Sequence, residues 1–115
     1  MIPALDTLAD LGEPFEILDL PDGGAMELLP IRWELGRGLI HPRDGRPAHN
    51  IPVLRLHVAP ADKPTEPRWW DVTAKTLIAG LLGYLEAPGG RRFRFIIVKT
   101  GVAPTARFTL DARPA

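Results

Sequence analysis

The sequence predicts a β-dominated α+β domain, with an acidic N-terminal leader and then five strands that hold one helix between the third and the fourth. Three observations carry this. Apolar and polar residues alternate with a period of two in residues 26–35, 51–58, 92–99 and 105–111, as half-buried strands require. Only residues 72–86 or so repeat their apolar side chains at a strong helical spacing. Clusters of glycine and proline punctuate the chain between these segments. With 115 residues, 45% hydrophobic and 24% charged, the chain suits one core and is too short for two of ordinary size.

Taken in order, residues 3–11 fit a short helix, with Pro3 near its start, Leu5, Leu8 and Leu11 in a stripe and Gly12 just past its end. Residues 15–20 read as an extended piece that stops at the turn Pro21-Asp22-Gly23-Gly24. Residues 1–24 thus form an acidic, partly ordered leader, and residues 25–115 a single β-rich domain. In the first strand, Leu29, Ile31, Trp33 and Leu35 share a face opposite Pro30, Arg32 and Glu34. Pro30 lacks a backbone donor, so the strand is an edge or bulges there. Gly36-Arg37-Gly38 permits a bend before a short second strand at 39–41, and residues 41–47 form a loop around Asp44-Gly45.

The third strand, 51–58, places Leu54, Leu56 and Val58 opposite Arg55 and His57. Residues 59–67, with three prolines, make an exposed connection. In the helix, Leu77, Ile78, Leu81, Leu82 and Leu85 form the core-facing stripe, and Asp71 or Thr73 is placed to cap it. Gly80 and Gly83 each cost about 1 kcal/mol against alanine and imply close packing on a sheet. The fourth strand sets Phe93, Phe95 and Ile97 against Arg92, Arg94, Ile96 and Val98, and the fifth sets Phe108 and Leu110 against Arg107 and Thr109.

This order, strand-strand-strand-helix-strand-strand over residues 26–111, resembles the OB-fold, a five-stranded Greek-key barrel whose face and flanking loops bind oligonucleotides or oligosaccharides. The run Trp70-Asp71-Val72-Thr73-Ala74-Lys75-Thr76-Leu77, the helix, and the segments 93–99 and 107–111 are similar to the C-terminal half of small phage-type single-stranded-DNA-binding proteins. The resemblance is one of topology. It implies a small phage or mobile-element accessory protein that binds single-stranded nucleic acid. A small α+β roll or a sandwich with one covering helix is the competing architecture.

Several functions are excluded or disfavoured. There is no cysteine and no serine, so neither residue can serve as a nucleophile, and no disulfide or thiolate zinc site can form. No Walker or dinucleotide fingerprint is present. His41, Asp44 and His49 could approach one another, but their spacing matches no metal motif, so no cofactor, metal or catalytic residue is expected. The first residues carry Asp6 and Asp10 and no basic residue, unlike a signal peptide, and no apolar run reaches the roughly 18 residues of a membrane span, so a cytoplasmic location away from membranes is expected. A single asparagine, no glutamine and 13 prolines suit a thermostable chain, although a GC-rich genome gives the same bias.

The net charge of zero hides a division. Residues 1–36 hold eight carboxylates against Arg32, a net −7, and residues 37–115 carry the balancing +7. The leader can therefore lie across a basic face and compete with nucleic acid, or the leader of one copy can pair with the body of another in a homo-oligomer. The candidate nucleic-acid contacts are the arginines of the 41–47 loop, Arg43 and Arg46, with Arg55 of the third strand, Arg68, and the cations of the last two strands, Arg92, Arg94, Lys99 and Arg107. Trp69 joins them as a stacking platform, with Trp33 as a second, because adjacent Trp69 and Trp70 must point to opposite sides of an extended chain.

Overall fold

The alternating segments form strands, and the few places where the chain can turn decide how they pair. A computed structural model describes residues 4–14, 16–102 and 106–115. A 3-10 turn at Leu5–Thr7 leads to β1 (Ala9–Asp10), β2 (Ala25–Leu28), β3 (Pro30–Ile40), β4 (His49–Val58) and β5 (Trp69–Val72). The helix α1 (Lys75–Leu85) follows, then β6 (Phe93–Thr100) and β7 (Arg107–Pro114). The protein is thus β-dominated α+β, with seven strands in two sheets and one helix among the described residues.

One sheet has the order β1-β3-β4-β5 and the other β2-β6-β7. Only Leu29 separates β2 from β3, so the chain passes directly from the smaller sheet into the larger. No ladder among the described residues joins β5 to β7, and the two sheets do not close into a barrel. The core lies between their inner faces. Leu54, Leu56 and Val58 of β4, Val72 of β5, Leu28 of β2, and Phe95 and Ile97 of β6 are all buried there. Leu77, Ile78, Leu81 and Leu82 of α1 complete it, and the helix packs against β7 and β4. Each such side chain contributes about 1.5–3 kcal/mol by leaving water.

Several boundaries differ from the sequence reading, each for a local reason. The helix begins at Lys75 rather than near residue 72, because Val72 pairs with Leu54 as the last residue of β5. Its N-cap is Ala74, without a side-chain cap, since Asp71 is engaged in the sheet. The expected first strand is two strands. Register shifts between Pro30 and Arg32, which puts Pro30 on the buried side and leaves Ile31 49% exposed. Gly36-Arg37-Gly38 does not bend the chain away, and β3 continues through it to Ile40. Gly80 does approach a strand closely, with an added Cβ meeting Leu110 Cδ2 at 3.3 Å, but a Cβ on Gly83 would meet open space. The expected helix at 3–11 is only the 3-10 turn, followed by β1. Pro3, Phe15 and residues 103–105, which entered the readings of the leader and the last connection, lie outside the described residues.

The leader is part of the sheet architecture. Ala9 and Asp10 run parallel to Gly36 and Arg37 at the β3 edge. The chain then crosses the outer face of the larger sheet and makes a parallel bridge from Ile17 to Asp71 at the β5 edge. The two strand glycines allow this crossing. A Cβ on Gly36 would sit 2.5 Å from Leu11 Cγ, and one on Gly38 would meet Gly12 O at 3.0 Å and Pro14 Cγ at 3.1 Å. Leu8 and Leu18 of the leader are buried as a result. No helix among the described residues is long and apolar enough to cross a membrane.

Candidate nucleic-acid interface

Strand register places two polar rows on the outer face of the larger sheet. Arg32, His57 and Trp69 form one row across β3, β4 and β5, and Glu34, Arg55 and Asp71 form the next. Asp71 is completely buried, which an unpaired carboxylate could not sustain. Arg55 satisfies it with a two-pronged contact, Nε to Oδ1 at 2.8 Å and Nη2 to Oδ2 at 3.3 Å. The leader closes the site from the other side, where Glu16 N donates to Asp71 Oδ2 at 3.4 Å and Asp71 N donates to Glu16 O at 2.7 Å.

Trp69 rests on this ion pair. The Arg55 guanidinium lies 4.6 Å from its ring centroid, and the His57 ring lies 5.8 Å away, tilted by 57°. His57 Nε2 donates to Glu34 Oε2 at 2.8 Å. That hydrogen bond holds the Glu34 carboxyl below its ordinary pKa against the opposing effect of burial, with further help from the charges of His57, Arg32 and Arg55. Arg32 Nη2 is 3.4 Å from both ring nitrogens of His57, at the long limit of a hydrogen bond, and no carboxylate pairs with it among the described residues. The arrangement presents a half-buried indole backed by one arginine and flanked by another that is exposed and has no ion pair among the described residues.

Trp69 and Trp70 do face opposite sides. Trp70 pairs with Leu56 on the inner face and packs on the core. Trp33 also packs against the core rather than standing out as a second platform, because it follows the inner-face phase of Leu35. Of the candidate cations, only Arg55 shares the Trp69 face, and Asp71 neutralises it. Arg68, one residue before β5, is bonded to Glu66. Arg43 and Arg46 lie exposed in the 41–48 loop, with Arg46 Nε 2.6 Å from Asp44 Oδ2. The crossing leader separates them from Trp69. Arg94 lies on the outer face of the smaller sheet, 3.5 Å from Asp62, and Lys99 is 2.7 Å from Asp19. Arg92 and Arg107 are exposed and have no ion pair among the described residues.

The structure therefore does not gather the nine candidates into one surface. It adds Arg32 and His57, which the sequence marks only as the polar side of two strands. The histidines make separate contacts, His41 with Glu13 at 2.9 Å and His49 with the Pro47 carbonyl at 3.3 Å. No group of three or more metal-ligating side chains occurs among the described residues. No family model matches the chain, and neither a curated protein nor a solved structure matches it.

Proposed function

We propose that the chain is a non-enzymatic, OB-like module that binds single-stranded nucleic acid on the outer face of β3, β4 and β5. The strand order supports the OB-like reading. The continuous run 25–40 pairs with β4 on one side and β6 on the other, β5 follows β4, β7 follows β6, and the helix connects β5 to β6. This connectivity is compatible with a partly open five-stranded Greek-key barrel, whose second and third strands supply the binding face. On this reading those strands are β4 and β5.

The observation that carries the functional reading is Trp69 on that face, half-buried and backed by Arg55, with Arg32, which has no ion pair among the described residues, in the same row. A base can stack on the indole for about 1–3 kcal/mol, and Arg32 can meet the adjoining phosphate. Arg55 acts as a positioning residue because its charge is spent on Asp71.

Titration with short oligothymidylate at several salt concentrations tests the proposal. Affinity should fall by about 0.7 log units per log unit of salt for each phosphate neutralised. Trp69→Ala should lower affinity roughly tenfold or more. Absence of binding at low salt overturns the reading.

A second reading is assembly of identical chains. Among the described residues no strand pairs with the outer side of the β7 edge, Arg107–Pro114, which carries Arg107, Asp111 and Arg113 in alternation. Two such edges can pair antiparallel with arginine opposite aspartate. Sedimentation that shows a salt-sensitive oligomer indifferent to DNA would favour this reading.

A further inference from the structure

One cluster of arginines lies outside the Trp69 row and touches it through Arg32. A cavity of about 210 Å³, open on one side, lies where β3, the end of α1 and the start of β6 meet. Arg32, Arg91 and Arg92 line it, together with the apolar surfaces of Trp33, Leu85 and Phe93. No carboxylate lines it. Among the described residues none of the three arginines has an ion pair, whereas Arg46, Arg55, Lys63, Arg68, Arg94, Lys99 and Arg113 each have one. Gly89 and Gly90 both take left-handed conformations, φ +92° and +62°, and so turn the chain at the cavity rim just before Arg91.

We infer that this cavity is a subsite for a phosphate monoester, the terminal phosphate of a bound strand. Arg91 and Arg92, with no ion pair among the described residues, together with Arg32, whose guanidinium also lies against His57, favour a dianion over the single charge of an internal diester. Their planar donors match phosphate oxygens two at a time. The apolar wall beneath lowers the local dielectric and strengthens that attraction. Arg32 belongs both to this cavity and to the Trp69 row, so a strand stacked on Trp69 can place its end between Arg32, Arg91 and Arg92. The strand as the source of the phosphate rests on the nucleic-acid reading above. The arginine cavity itself does not.

The test uses the full chain and three probes: an oligothymidylate with a terminal phosphate (at the 5′ and the 3′ end in turn), the same strand ending in hydroxyls, and inorganic phosphate alone. A terminal phosphate at one end should tighten binding about tenfold over the hydroxyl-ended strand. The double variant Arg91→Gln/Arg92→Gln, at two exposed positions, should abolish that preference while the hydroxyl-ended strand keeps its affinity within about twofold. Inorganic phosphate alone should shift the amide resonances of residues 90–93. If strands bind with no preference for phosphorylated ends and inorganic phosphate shifts nothing there, the subsite is overturned and the Trp69 site stands. If phosphate shifts residues 90–93 but no strand binds, the nucleic-acid reading is overturned and the cavity stands as a site for free phosphate.

Discussion

Asp71 and Arg55 show how a few side chains hold the candidate site together. Asp71 is wholly buried, and Arg55 is its charge partner. Asp71→Asn should cost about 3 kcal/mol, because a mostly buried guanidinium loses its countercharge. Urea unfolding reads this directly, and a loss below about 1 kcal/mol would show that solvent reaches the pair. Trp69 should then lose its backing, so its fluorescence should shift in the variant even where the protein remains folded. Lys63 does comparable work on the inner side. It is 6% exposed, lies 4.5 Å from the Trp70 ring centroid, and donates to Glu16 Oε2 at 3.0 Å and to the Pro67 carbonyl. These partnerships could not be read from the sequence, where Asp71 has the right position for a helix cap. Only the register of β4 against β5, set by residues 54–57 and 69–72, places Asp71 beside Arg55.

Elements were legible where one periodicity ran unbroken. The alternation of Leu54, Leu56 and Val58 places β4 correctly, as does that of Phe95 and Ile97 in β6, and the stripe from Leu77 to Leu85 places α1. Legibility failed where the backbone changed phase or a distant segment supplied the partner. The bulge after Pro30 inverts the expected face of Ile31. The strand at Gly36–Gly38 persists because the leader covers it, a contact between segments about 25 residues apart that no local pattern reports. The glycines of these elements give opposed predictions. Gly36→Ala forces a Cβ against Leu11 and the Ala9 carbonyl and should lower thermal stability by about 1–3 kcal/mol. Gly83→Ala meets open space in a helix and should raise it by about 0.5–1 kcal/mol. Calorimetry of both variants checks the signs.

For the molecule as a whole, the division between acidic leader and basic body becomes a set of contacts. Glu13 meets His41, Glu16 meets Lys63, and Asp19 meets Lys99. The Lys99 hydrogen bond lowers the Asp19 pKa, aided by a backbone N–H from Leu20. The leader thus anchors itself through cations that do not face Trp69, while Arg32 stays exposed and Arg91 and Arg92 have no ion pair among the described residues. The sequence revealed the charge split and the outward Trp69, but which cations stay uncompensated depends on pairings across the whole fold.

The central claim is that the Arg32–His57–Trp69 row contacts a single strand. Amide chemical-shift mapping during titration with oligothymidylate at low salt tests it most directly. Shifts concentrated at residues 32–34, 55–57 and 69–70, and reversed by added salt, are the predicted result. Shifts confined to β7, or no shift at any amide, would contradict it.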